Sequence, residues 1–232
     1  TFFSAVSLFL GACFMLAVPS ASQAQDTITV RGVTSFPKNV IVNTALPDLI
    51  KMIEKRTDGR LKINYVGGPE VIKSFDQGEA LRTGTIDMIL YTPMSYLKSF
   101  SPVYQAKGLS RLAAWEERRV GAHDLWDEIS QKTFNAKYLG TIHSEISFRI
   151  YSNKRIDTLD DLKGLRIRTM PLYSPFLKEL GANPVIMPPT EVYTAMQRGV
   201  VDGFMFSSDF EFPDWGWHEV TKYKISPAVF QV

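Results

Sequence analysis

The strongest constraint on the fold is a short pattern that occurs twice. Ala80-Leu81-Arg82-Thr83-Gly84-Thr85-Ile86-Asp87 reads as a helix end, a glycine stop and a strand that starts at an aspartate. Ala195-Met196-Gln197-Arg198-Gly199-Val200-Val201-Asp202 reads the same way. Each copy follows a proline-bearing loop, Gly67-Gly68-Pro69-Glu70-Val71 in one case and Pro188-Pro189-Thr190-Glu191-Val192 in the other, and then a helical segment. Glycine after a helix is common, so a single copy would say little. Two copies with matching flanks predict two α/β lobes of similar build. Two such lobes leave a cleft between them, and a cleft is where a small molecule binds.

The rest of the chain fills in around the repeat. Thr27 to Val33 alternates and is rich in β-formers, which predicts a first strand. A helix is expected from about Asn39 to Thr57, with Val42, Leu46, Leu49, Ile50 and Ile53 on one face and a kink at Pro47. Strands are expected over Leu61–Val66 and Ile86–Tyr91, a helix over Trp115–Phe134, and strands over Lys137–His143 and Ser147–Ser152. The last of these is placed as the crossing into the second lobe. Thr158 to Gly164 reads as a capped single-turn helix, with Asp160 and Asp161 at its positive end. Strand, helix, strand, helix and strand then follow over 165–169, 174–181, 184–187, 190–198 and 201–206, and Tyr223–Phe230 reads as a strand returning toward the first lobe. This alternation predicts a mostly parallel sheet in each lobe.

The ends carry their own signals. No charged residue precedes Asp26, and Thr1–Val18 is an apolar or small run ended by Pro19 and Ser20, with Ser22-Gln23-Ala24 behind it. The run is nearly long enough to span a membrane. The small residues before Gln25 instead match a secretory signal peptide cleaved after Ala24. Cys13, the single cysteine, lies in Leu10-Gly11-Ala12-Cys13, which has the form of a lipoprotein box but sits inside a longer apolar run. The part after Ala24 then has no thiol chemistry. Net charge is +2 with scattered Lys and Arg, which argues against nucleic acid as a partner. Val232 falls inside a strand-like stretch, so the chain is read as truncated at its C-terminus.

Arg168 is the leading candidate for chemistry. It ends the strand Leu165–Thr169, and ligands of open α/β sheets bind outside the C-terminal ends of the strands. A guanidinium stays charged and takes a carboxylate through two parallel hydrogen bonds. The competing assignment is a strand arginine paired with an acid such as Asp160 or Glu191. Arg149 either adds positive charge at the cleft mouth or is an ordinary surface arginine. Glu70 either accepts a ligand hydroxyl or ammonium or compensates a helix dipole. Tyr91 and Phe206 end equivalent strands and so occupy matching cleft positions, while Trp215 is a further candidate wall. Asp87 and Asp202 are expected to fix the turn into the strand rather than to contact ligand. His123, His143 and His218 lack metal-ligand spacing, and no nucleophile elbow or phosphate loop occurs, so no cofactor and no enzymatic activity are expected.

The blocks Tyr151-Ser152-Asn153-Lys154 with Leu159–Arg168, and Met187-Pro188-Pro189-Thr190-Glu191 running to Gly203, resemble the TRAP (tripartite ATP-independent periplasmic) transporter solute-binding proteins of the dicarboxylate-binding type. The resemblance covers nearly all of the chain after Ala24. It implies a two-lobed α/β periplasmic binding protein fold, type II-like, with a cleft between the lobes. It also implies a salt bridge from Arg168 to a ligand carboxylate, and a long lobe-spanning helix that this chain lacks. The implied layout is a signal peptide over 1–24, lobe I over 25–146, lobe II over 147–225, and the start of a crossing strand over 226–232. The implied role is capture of a small organic acid in the periplasm and its delivery to membrane permease subunits, the protein itself not being integral to the membrane. Sialic-acid-binding members place a polar residue, often Asn, near Phe206. Phe206-Ser207-Ser208 points instead to a smaller acid with an apolar or aromatic portion. A ligand sensor of the same fold and a secreted α/β enzyme are the alternatives.

Overall fold

The computed structural model describes residues 26–142, 146–207, 209 and 211–231. The expected signal peptide, Cys13 and His143 lie outside them. Two separate sheets organise the chain. In the first, β1 (Ile28–Thr34) is central, flanked by β2 (Leu61–Gly67) and β3 (Met88–Tyr91), all parallel. The connections run through α1 (Leu46–Arg56) and α2 (Gln77–Arg82). Parallel neighbours need such crossovers, which is why strand and helix patterns alternate in this part of the sequence. Leu46, Ile63 and Leu90 form the buried centre, with Leu49, Ile50 and Ile53 of α1 packed against it.

Three helices follow: α3 (Val103–Lys107), α4 (Ala114–Arg119) and α5 (Ala122–Phe134). The second sheet is built from β4 (Ser147–Ser152), β5 (Arg166–Thr169), β6 (Asn183–Ile186), β7 (Gly203–Phe206), β8 (Tyr223–Lys224) and β9 (Phe230–Gln231). Their order is β6-β5-β7-β4-β8, with β9 also on β4. The helices α6 (Ser174–Glu179) and α7 (Val192–Gln197) supply the crossovers, and α8 (Phe212–Trp215) follows β7. This sheet is buried on both faces, by Ile150, Ile167 and Met205 on one side and by Tyr151, Phe204, Phe206 and Trp217 on the other.

The duplicated pattern is a true structural repeat. Gly84 and Gly199 both adopt positive φ, +74° and +65°. Thr85 N–H donates to Ala80 O at 2.8 Å, and Val200 N–H donates to Ala195 O at 2.8 Å. The aspartate that follows binds the arginine of the adjacent strand in each copy. Asp87 accepts from the backbone N–H and Nε of Arg31 at 2.8 and 2.9 Å, and Asp202 accepts from the same two atoms of Arg166 at 3.0 Å each. The pair clamps the entry of β3 to β1 and of β7 to β5, as expected for turn-fixing aspartates. The hydrogen bonds from the Arg31 side chain and backbone hold the Asp87 carboxyl down at about 2, from an ordinary 3.8, and Arg166 holds Asp202 lower still. Depressed carboxylates add stability that is complete above their unfolded value and is lost as pH falls through the folded one. The melting temperature should therefore fall between about pH 4 and pH 2. Asp87→Asn, read by thermal denaturation across that window, should flatten part of the slope.

Several expectations are corrected. Helix α1 starts at Leu46, not near Asn39, and Pro47 occupies its first turn, where the missing N–H is harmless, so there is no kink. The expected Trp115–Phe134 helix is two helices, broken at Gly121 with φ +79°. The second sheet is mixed rather than mostly parallel, because β4 runs antiparallel to β7, β8 and β9. The returning strand is two short pieces, since Pro227 between them has no N–H for the ladder.

No strand forms over residues 137–142. Side chains hold that segment instead. Asp127 accepts the Tyr138 N–H at 3.0 Å, Arg118 donates to Leu139 O at 3.0 Å, and Tyr138 and Thr141 donate to Glu117 at 3.2 and 2.9 Å. These contacts occupy backbone groups that a strand would need for its ladder.

Candidate ligand-binding cleft

The cleft starts from the C-terminal ends of the central strands. β1 runs into Ser35-Phe36-Pro37, and a buried polar network fixes that exit. Gln77 Nε2 donates to Thr34 O at 2.7 Å and to Ile72 O at 3.0 Å, and Ser35 Oγ donates to Gln77 Oε1 at 2.9 Å. Asn43 Nδ2 donates to Phe36 O and Pro37 O at 3.0 and 2.7 Å. Gly68 approaches the same turn so closely that a Cβ there would lie 2.4 Å from Phe36 O. The Phe36 ring is thereby set against Tyr91 in a stack at 5.3 Å and edge-on to Trp215 at 6.4 Å. From the second sheet, Arg149 pairs in register with Phe206 at the end of the β4–β7 ladder. Opposed residues of an antiparallel pair share a face, so both point the same way.

A cavity of about 1440 Å³ lies between the two sheets. That exceeds the roughly 300–1,000 Å³ of ordinary ligand pockets and marks an open cleft. Tyr91, Arg149 and Phe206, all expected from the sequence, line it. Phe36, Phe148 and Tyr173 add aromatic wall, and Thr92, Ser95 and Ser207 add hydroxyls. Among the described residues Arg149 forms no ion pair, although it lies within electrostatic reach of Asp209.

Arg168 is placed differently from a cleft-lining residue. It is fully buried and is not part of the cavity wall. Its Nε donates to Met187 O at 2.9 Å and its Nη1 to Met205 O at 3.4 Å, while Nη2 is buried with no hydrogen-bond partner. The Tyr96 hydroxyl, from the 3-10 turn Met94–Leu97, adjoins the guanidinium and interacts with it. Ser95 and Phe206, next in sequence to Tyr96 and Met205, do line the cavity, so Arg168 sits immediately behind its wall. Burial pulls the Arg168 pKa down, opposed by Tyr96 and Glu191. Neither Asp160 nor Glu191 forms an ion pair with it; Asp160 pairs with Lys163. The alternative of an acid-paired strand arginine therefore does not hold among the described residues.

Glu70 and Trp215 are not brought to the cavity. Glu70 is exposed in a turn, not in the first turn of a helix, and its carboxylate accepts the Gly68 N–H at 2.8 Å. It shapes the loop around Gly67 and Gly68 and is spent there. Trp215 stacks on Trp217 at 5.2 Å and backs Phe36, with Asp214 beside it accepting the Ile41 N–H at 3.1 Å. It ties the two halves together behind the wall.

Sequence reasoning missed Phe36, Tyr96 and Glu211. Glu211 is 3% exposed, lines the cavity and takes the Ser207 hydroxyl at 3.3 Å. Burial pushes its pKa up. Its neighbour Phe212, an aromatic that is itself buried, was the available signal. Among the described residues no group of three or more His, Cys, Asp or Glu could hold a metal ion.

An α/β chain with two sheets and a cleft at their strand ends, walled by aromatics and backed by a buried guanidinium, has the architecture of a two-lobed solute-binding protein. Residues 33–229 match the family described as bacterial extracellular solute-binding protein, family 7, and the chain belongs to that family. It is 30% identical over 169 residues to the uncharacterized protein YiiZ of Salmonella typhimurium, which covers 70% of this chain and 51% of that protein. It resembles a TRAP transporter solute-binding protein from Bordetella bronchiseptica, solved with copurified calcium and picolinate, at a TM-score of 0.74 and 22% identity, covering 89% of this chain and 63% of that one. It also resembles a TRAP periplasmic solute-binding protein from Haemophilus influenzae with bound L-gulonate, at a TM-score of 0.67 and 26% identity, covering 85% and 66%. The chain thus spans between about half and two thirds of these relatives. The expectation of a two-lobed α/β fold is met. No helix among the described residues is long and apolar enough to cross a membrane.

Proposed function

We propose that this protein captures a small organic carboxylate outside the cytoplasm and delivers it to a TRAP-type membrane permease. The observation that carries the reading is Arg168, a fully buried guanidinium with no acid paired to it among the described residues, behind a cleft whose wall holds Arg149, which forms no ion pair among the described residues. Two cations without an ion-paired acid among the described residues favour an anionic ligand, since a buried charge gains most from a counter-charge. Picolinate and L-gulonate, the ligands of the two structural relatives, are both carboxylates. In this reading Arg168 holds the carboxylate after a small shift of the wall, Arg149 attracts it, and Phe36, Tyr91 and Phe206 cover its apolar part. Exclusion of water on closure strengthens the ion pair. Residues 25–146 and 147–225 act as the two lobes, and residues 1–24 direct export to the periplasm.

The family is a solute-binding one, which favours transport over catalysis. A thermal-shift screen of organic acids on the protein, together with mass spectrometry of acids copurified from native source, tests the reading. Stabilisation by one or a few carboxylates, with unchanged acid recovered, is expected. Stabilisation only by neutral or cationic solutes, or turnover of the acid, would refute it.

A further inference from the structure

We infer that the acid bound in this cleft is an aromatic carboxylic acid, its carboxyl attached to the ring directly or through one carbon, and that the Arg149–Phe206 pair selects it. The inference rests on the carboxylate reading above and narrows it. Arg149 and Phe206 are direct partners in the antiparallel β4–β7 ladder. Opposed side chains of such a pair share a face, with Cβ atoms about 4.5–5.5 Å apart. Both residues line the cavity. A guanidinium and a ring are therefore presented side by side, and one small molecule can meet both. The ring is fixed, since Trp217 packs edge-on against it at 4.7 Å. Arg149 has no ion pair among the described residues: Asp209, the acid within its electrostatic reach, is paired with Lys224 at 2.5 Å.

Further rings face the same cavity. Phe36 stacks on Tyr91 at 5.3 Å with 26° between the planes, and Phe148 leans on Tyr173 at 4.7 Å. All four line the wall, the first pair carried by the ends of β1 and β3, the second by β4 and the 3-10 turn Pro171–Tyr173. A flat ring gains from offset or edge-on contacts with such side chains that a saturated ring of similar size does not make. A polyhydroxy acid needs the opposite, a wall with free donors and acceptors. The hydroxyls next in sequence to Tyr91 and Phe206 are engaged within the protein. Thr92 Oγ1 bonds Ser35 Oγ at 2.7 Å, and Ser207 donates at 3.3 Å to Glu211, which the Trp215 indole also bonds. A sugar acid bound beside these rings would leave hydroxyls desolvated, and an unmet buried hydroxyl costs more than a met one returns.

The test is calorimetric titration with benzoate, phenylacetate, cyclohexanecarboxylate, gluconate and the neutral benzamide, on native protein, Phe206→Leu and Arg149→Gln. Native protein should bind the better of benzoate and phenylacetate about fivefold or more tighter than cyclohexanecarboxylate, and about tenfold or more tighter than gluconate. Phe206→Leu keeps an apolar side chain and should shrink the aromatic preference to about twofold. Arg149→Gln should reduce the preference for benzoate over benzamide about tenfold and leave the ratio of benzoate to cyclohexanecarboxylate unchanged. Arg149 is only partly buried and holds no ion pair among the described residues, so this variant should fold even if Phe206→Leu does not. Equal affinity of native protein for the aromatic acids and cyclohexanecarboxylate, tighter binding of gluconate, an aromatic preference undiminished in Phe206→Leu, or a benzoate to benzamide ratio unmoved in Arg149→Gln would overturn the inference and leave the carboxylate reading standing. Failure of every acid in the set to bind native protein would instead remove the carboxylate reading, and this inference with it.

Discussion

Replacing Arg168 by methionine should abolish ligand-dependent stabilisation while leaving the unliganded protein folded. The two effects separate because the guanidinium is buried and has no ion-paired acid among the described residues. In the liganded state it is the partner of a desolvated carboxylate, and removing one member of a buried pair costs about 3–5 kcal/mol, a hundredfold or more in affinity. In the unliganded state the change removes a desolvated charge, which is favourable, and strands the Met187 and Met205 carbonyls, which is not. These terms oppose each other, so the melting temperature without ligand should move little. A purely structural arginine would give the reverse: lost stability with ligand response retained in whatever protein folds. Calorimetric titration and thermal denaturation of the same preparation distinguish the outcomes. Arg168→Lys should fall near the methionine variant, because a point charge cannot reproduce the planar fork that spans Met187 O, Met205 O and the open Nη2 direction.

The second large effect is expected in a buried network at the edge of the same cavity, which Lys107, Tyr138 and Thr141 line. Lys107 and Glu117 form a buried ion pair between α3 and α4, 7% and 1% exposed at their side chains. Lys107 also donates to Thr141 at 2.9 Å, and Glu117 accepts from Thr141 and Tyr138. Glu117→Leu leaves the ammonium buried without its counter-charge and should cost about 3–5 kcal/mol. Adding Lys107→Met removes the stranded charge and should restore most of that loss, since apolar replacements of buried pairs are often neutral. Chemical denaturation of the two single variants and the double variant gives the coupling directly. Additive losses would mean that the pair is not coupled as its geometry indicates. The same cycle tests why residues 137–142 are not a strand: if this network fixes them, their amide protection should collapse in Glu117→Leu.

What the sequence determined by itself is local and repetitive. Glycine stops at 84 and 199, the aspartates three residues on, the proline-led turns and the alternation of short strands with short helices all depend on interactions within a few residues, or on a period that residue type alone reveals. That was enough to read two α/β units, a cleft between them, and the strand ends where Tyr91, Arg149 and Phe206 line it. Errors fell where distant groups outbid local preference. Lys137–Ile142 has strand-forming residues, but its hydrogen bonds go to side chains more than ten residues away. Glu70 resembled a helix-starting acid, but the nearest unpaired donor was Gly68 N–H.

The cleft's electrostatics belonged to tertiary structure altogether. Whether Arg168 meets Asp160, Glu191, Tyr96 or nothing depends on which loops the fold brings over the end of β5, and a strand's period only says on which face the arginine starts. Glu211 reads as an ordinary loop acid in the sequence, and only the assembled fold buries it, to 3% exposure. Burial converts an ordinary charge into one whose missing partner costs free energy, and burial is a property of the assembled surfaces, which no single segment carries.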